Sequence, residues 1–83
     1  MKIRYFAWMK RMVGTGDEQV DLPAEIRTVG DLVEWLRKRS SGHAAALADG
    51  SAFGAAIDRR TVPFDTPLAG ATEVAFFPPF TGG

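Results

Sequence analysis

No cysteine occurs among the 83 residues, which excludes disulfide bridges, thiolate metal sites and a cysteine nucleophile within the chain. Neither charge sign is in excess, since ten Lys and Arg balance ten Asp and Glu. That balance gives no support to nucleic-acid binding or to a polybasic membrane contact. No apolar run approaches the roughly 20 residues needed to span a bilayer. Arg4 and Lys10 interrupt the apolar stretch at the start, where a signal peptide would need its hydrophobic segment. A cytoplasmic protein without nucleic-acid or membrane partners is the expectation. The single histidine, His43, stands beside a glycine at a helix boundary and reads as a solvated loop residue. No plausible triad, metal cluster or phosphate-binding glycine loop is present, so neither a metal nor a cofactor is expected on this chain.

What the chain does have is enough apolar content, 46%, for one small globular domain. A domain of this length buries roughly 60% of its unfolded surface, so partner contacts can add materially to its stability. Lys2 to Met9 reads as a first strand, with Ile3, Tyr5, Ala7 and Met9 on one face. Arg4, Phe6, Trp8 and Lys10 occupy the other. Gly14-Thr15-Gly16-Asp17 signals a turn, and Glu18 to Leu22 a second strand that completes a hairpin. Thr28 is a good helix N-cap, with Asp31 three residues on. Val29, Leu32, Val33 and Leu36 then form one apolar stripe. Arg37-Lys38-Arg39 reads as a solvated helix end, and Ser40-Ser41-Gly42 as its stop. His43 to Ala48 suits a short helical turn. Ala52 to Asp58 is a weak third strand, Arg59-Arg60 a hairpin turn, and Thr61 to Phe64 a short edge strand containing Pro63. Glu73 to Phe77 is the last strand, with Val74 and Phe76 on one face and Ala75 and Phe77 on the other.

This order is β-β-α-β-β-β. It fits an α+β domain in which one main helix lies across one face of a mixed sheet, with the first and last strands as parallel central neighbours. That is the β-grasp, or ubiquitin-like, fold. Residues 1–77 would form the domain and residues 78–83 a flexible C-terminal tail. If Ile3, Tyr5, Val74 and Phe76 face the helix, then Phe6, Trp8 and Phe77 project from the open face, and Phe6 and Phe77 lie close together. Exposed aromatic patches of this kind mark partner sites.

The tail itself is Pro78-Pro79-Phe80-Thr81-Gly82-Gly83. The prolines hold its exit near polyproline geometry. Glycine lacks a Cβ, so Gly82-Gly83 can thread a narrow channel and present an unshielded acyl carbon. Fully extended, the tail reaches roughly 20 Å.

The ending Val74-Ala75-Phe76-Phe77-Pro78-Pro79-Phe80-Thr81-Gly82-Gly83 resembles the C-terminus of the small, sulfur-carrier subunits of molybdopterin synthase. Phe64-Asp65-Thr66-Pro67-Leu68, Ile3-Arg4-Tyr5-Phe6-Ala7 and Thr28-Val29-Gly30-Asp31-Leu32 resemble that family's D-x-P-L turn, opening strand and helix start, in the same order. Phe80, the turn Gly70-Ala71-Thr72-Glu73, Asp58 and Lys10-Arg11 depart from its usual residues. The resemblance implies that Gly83 is adenylated, with ATP consumed by a ubiquitin-activating-type enzyme, and that a sulfur donor system converts it to a thiocarboxylate. The charged tail would then enter the large subunit, in a heterotetramer, and deliver sulfur to cyclic pyranopterin monophosphate. The catalytic groups would lie on the large subunit. Phe6, Trp8, Lys10, Phe77, Pro78, Pro79 and Phe80 are the candidate partner contacts. Two other readings share the fold: a sulfur carrier of thiamine or cysteine synthesis or a ubiquitin-related modifier, and a β-grasp interaction module with an inert tail.

Overall fold

The structure, a computed structural model, describes residues 1–79. Its elements are β1 (Lys2–Tyr5), α1 (Ala7–Val13), β2 (Asp17–Gln19), α2 (Val29–Arg37), α3 (Ser41–Ala46), β3 (Gly54–Ile57), β4 (Arg60–Val62) and β5 (Glu73–Phe77). The strands form one sheet in the order β2-β1-β5-β3-β4. β1 and β5 are parallel and central, with Ile3 opposite Val74 and Tyr5 opposite Phe76. The expected β-grasp arrangement is therefore present.

The first strand is shorter than its aromatic content suggests. At Ala7 the backbone turns left-handed, with φ 54°, and the chain enters α1 instead of continuing to Met9. Ala, Met, Lys and Arg are good helix formers, and Gly14 closes the helix in the left-handed conformation, its N–H bonded to the Lys10 carbonyl at 2.9 Å. Met9 is buried as expected, but through helical rather than strand periodicity. β1 and β2 are antiparallel as expected, yet α1 intervenes, so they are not a simple hairpin. α2 is the main helix of the expected fold, and two shorter helices, α1 and α3, accompany it among the described residues.

The second helix follows its sequence signals closely. Thr28 Oγ1 accepts the Asp31 N–H at 3.1 Å, and Asp31 Oδ2 accepts the Thr28 N–H at 3.2 Å. This reciprocal box satisfies donors that the helix start would otherwise leave unpaired. Val29, Leu32, Val33 and Leu36 are all buried against the sheet, each worth about 1.5–3 kcal/mol of transfer free energy. They meet Ile3, Tyr5, Val74 and Phe76 in one core.

The basic run after this stripe is not simply solvated. Arg37 donates to the carbonyls of Leu47 (2.6 Å) and Ala48 (3.3 Å) just past α3, and it pairs with Glu34. Arg39 lies 5.0 Å from the Trp35 ring centroid and bonds Glu18 at 3.3 Å. Ser40 does not merely stop α2. Its Oγ accepts the His43 N–H at 3.1 Å and caps α3.

β4 lies at the sheet edge, and Pro63 follows it rather than sitting inside it. The turn between β3 and β4 is Asp58-Arg59, with φ of 47° and 73°, a two-residue loop with both residues at positive φ. The Asp58 carboxylate then accepts from Thr72 Oγ1 (2.7 Å) and the Glu73 N–H (3.0 Å). These bonds hold the pKa of the carboxyl group below its usual range, the Thr72 hydroxyl contributing most. The contact anchors the start of β5 and so its register.

Candidate functional site: the open face at the exit of β5

Because β5 lies between β1 and β3, the chain leaves the sheet from its middle. The Phe6 N–H bonds the Phe76 carbonyl at 3.1 Å, which carries the parallel ladder one residue past Tyr5 and sets Phe6 beside Phe77. Phe6 is extended, with φ −120° and ψ 156°, so the alternation of Ile3, Arg4 and Tyr5 continues to it. Ile3 and Tyr5 are buried; Arg4 and Phe6 therefore share the open face. Phe6 is 41% exposed, one of the two exposed large apolar side chains among the described residues. The Arg4 guanidinium lies 5.1 Å from the Phe6 ring centroid and 3.9 Å from Glu73. Arg4 and Glu73 are both solvated in part, so their attraction is weak, and the guanidinium adds a cation–π contact to the Phe6 ring. Ala75 and Ala56 oppose one another at the centre of this face and leave it flat. Phe77 and Pro78 are half-buried and Pro79 is exposed.

Four of the candidate contacts, Phe6, Phe77, Pro78 and Pro79, are thus gathered at one end of the sheet. Lys10 is exposed on α1 instead, its side chain running past Gly16. Trp8 does not project from the open face. It belongs to α1, where strand alternation no longer applies, and it packs half-buried against the core. Phe80, Thr81, Gly82 and Gly83 lie outside the described residues.

The solvated reading of His43 is also corrected. His43 is only 7% exposed. Its Nε2 lies 2.7 Å from Glu18 Oε2, and its Nδ1 lies 2.7 Å from Ser40 Oγ. The Tyr5 hydroxyl donates to the same Glu18 oxygen at 2.7 Å. Burial raises the pKa of Glu18, but hydrogen bonds from His43 and Tyr5, with attraction from the imidazole and from Arg39, outweigh it and leave the carboxyl pKa below its ordinary value. Burial, followed by the bond to Glu18, pushes the Tyr5 phenol far up. The cluster ties edge strand β2 to β1 and α3. The Ser40 hydroxyl both caps α3 and meets His43 Nδ1, so the cluster is a clasp between these elements. Nothing in sequence spacing brings Glu18 to His43, 25 positions on.

An apolar groove of about 530 Å³, lined by Met1, Leu22, Ile26, Pro67 and Leu68 among others, opens at the opposite pole, where β1 and β5 begin. It is remote from the exit of β5. Among the described residues no group of three acidic or histidine side chains gathers as a metal would require.

The parallel central pair, the helices on one face and a terminus issuing from the middle strand define a ubiquitin-like β-grasp domain. Solved structures carry the same architecture. A putative molybdopterin converting factor, subunit 1, from Pyrococcus furiosus superposes with TM-score 0.76 at 30% identity, covering 95% of each chain. SAMP1 from Haloferax volcanii gives TM-score 0.72 at 24% identity, covering 100% of this chain and 98% of that one, a likeness of fold. Residues 3–83 match the ThiS family, and the chain belongs to that family. It is 40% identical over 83 residues to the molybdopterin synthase sulfur carrier subunit of Escherichia coli (strain K12), covering 100% of this chain and 99% of that protein.

Proposed function

We propose that this chain is the sulfur-carrier subunit of a molybdopterin synthase. The observation that carries the reading is the full-length 40% identity to a protein of that name, together with the Phe76-Phe77-Pro78-Pro79 lead-in to Gly82-Gly83. A free carboxylate is a poor acyl donor because oxide is a poor leaving group. One Gly83 carboxylate oxygen attacks the α-phosphorus of ATP on a ubiquitin-activating-type enzyme, and pyrophosphate leaves. A sulfide equivalent from a donor system then attacks the acyl carbon and AMP departs, leaving a thiocarboxylate. Glycine at this position leaves the carbon open to attack. The charged tail enters the large subunit, where the thiocarboxylate sulfur bonds to a carbon of cyclic pyranopterin monophosphate in place of a departing oxygen; water then cleaves the acyl–sulfur bond, leaving sulfur on the pterin and Gly83 as a carboxylate again. Two sulfurs make a dithiolene, so two charged tails act per product, consistent with a heterotetramer of two small and two large subunits.

Phe6 and Phe77 are the anchors on this reading, with Pro78 and Pro79 directing the tail. The adenylating enzyme and the large subunit use overlapping parts of this face, so one must release the carrier before the other binds. The test is reconstitution: thiocarboxylated protein, large subunit and cyclic pyranopterin monophosphate are mixed and molybdopterin is assayed. Product forms with the intact chain and is lost when Gly82 and Gly83 are deleted. No product from the thiocarboxylated intact chain with any large subunit from the same organism contradicts the reading and favours a carrier of another pathway.

A further inference from the structure

Phe77 lies against a residue that has no side chain. Phe77 and Gly54 are cross-strand partners in the antiparallel β3–β5 pair. A Cβ at Gly54 would stand 2.9 Å from Phe77 Cε2 and 3.0 Å from Phe77 Cζ. Carbon atoms in favourable contact rest about 3.5–4.0 Å apart, so the ring occupies the space that a side chain at position 54 would need. The crowded atoms are at the ring's far end. The ring must therefore rotate off the sheet if anything larger than hydrogen stands beneath it. Its neighbours on this face, Ala56 and Ala75, carry only methyl groups. Pro78 follows directly, so the setting of Phe77 and the direction of the tail are joined through one peptide unit.

We propose that Gly54 is a positioning residue for sulfur delivery: its bare Cα is the seat that lays the Phe77 ring flat, giving the large subunit a planar docking face next to the tail exit. This rests on the sulfur-carrier reading. A ring covering a glycine across a strand pair also supports a sheet on its own account, so the test has to separate the docking role from the structural one. Alanine is intrinsically more favourable than glycine in a strand, which offsets part of the lost ring contact and favours a folded Gly54→Ala variant.

The experiment is a double-mutant cycle read as Kd for the large subunit, with the melting temperature of every variant recorded. Gly54→Ala weakens binding about tenfold when Phe77 is present, equivalent to about 1.4 kcal/mol. Phe77→Leu has no atoms at the Cε2 and Cζ positions, so adding Gly54→Ala to it costs less than about a further twofold. Equal losses in the two backgrounds, or no loss with Phe77 present, overturn the inference. A purely structural role would lower the melting temperature without this dependence on residue 77. Nuclear Overhauser contacts between the Phe77 ring and the Gly54 α-protons in the unmodified chain give a second arm that needs no variant. Their presence is expected, and their absence overturns the seating. An unmodified chain that binds no large subunit contradicts the sulfur-carrier reading itself, while the Overhauser contacts still decide the seat.

Discussion

Replacing Glu18 by alanine removes the acceptor on which three donors converge. Tyr5 is 1% exposed and His43 7%; their O–H and Nε2 groups both reach Glu18 Oε2 at 2.7 Å. Leaving a buried polar group without a partner costs about 1–3 kcal/mol, so two such groups cost about 2–6 kcal/mol. The Glu18 side chain is 17% exposed, and water entering from that side recovers part of this. The Arg39 pair is solvated and adds little. We therefore expect a loss of about 2–4 kcal/mol, a large share of the stability of a small domain. In a chain of this size that lowers Tm by about 10–25 °C, measured by thermal unfolding followed by circular dichroism at neutral pH. A fall below about 4 °C would refute the reasoning, because it would mean that neither donor depends on Glu18. The sign of the pH effect follows from the same contacts. The pKa of Glu18 is held below its ordinary value, so its contribution is complete above the unfolded pKa and is lost as pH falls through the folded one. The unmodified chain should lose stability below about pH 4 more steeply than Glu18→Gln.

Other outcomes follow from single close contacts. Gly42 approaches α1 so closely that a Cβ would overlap the Met12 carbonyl oxygen; Gly42→Ala should cost about 1–3 kcal/mol in denaturant unfolding by forcing α1 and α3 apart. Ala7 pays for its left-handed φ of 54°, so Ala7→Gly should stabilise the domain by up to about 1 kcal/mol in the same assay. Asp58→Ala should speed amide exchange at Thr72 and Glu73, whose N–H groups the carboxylate accepts; Asp58→Asn, which keeps an acceptor oxygen and tolerates the turn, should not.

Much of the fold was legible because local and tertiary preferences coincide. The Thr28–Asp31 box and the Val29-Leu32-Val33-Leu36 stripe specify α2 on their own, and Val74 and Phe76 alternate as a buried strand must. α1 was hidden because Phe6, Trp8 and Met9 suit a strand as readily as a helix, and because the break rests on one left-handed alanine that no residue type announces. With the break missed, alternation carried Trp8 to the wrong face, whereas Phe6, one residue before it, stayed in register. Glycine is a poor strand former, so the sequence alone offers no use for Gly54; the contact with Phe77 arises only when β3 and β5 pair. The Tyr5–Glu18–His43 clasp joins three elements, so no local pattern could reveal it. The tail motif was legible for the opposite reason, since its chemistry depends on residue type and order rather than on folding.

The most direct test of the central claim is the intact mass of the chain after co-production with its adenylating enzyme and a sulfur donor. The account expects a species heavier by the replacement of one oxygen with sulfur, localised to Gly83 by fragmentation and absent when Gly83 is deleted. A chain that carries only an ordinary carboxylate under conditions where the activating enzyme consumes ATP would contradict it.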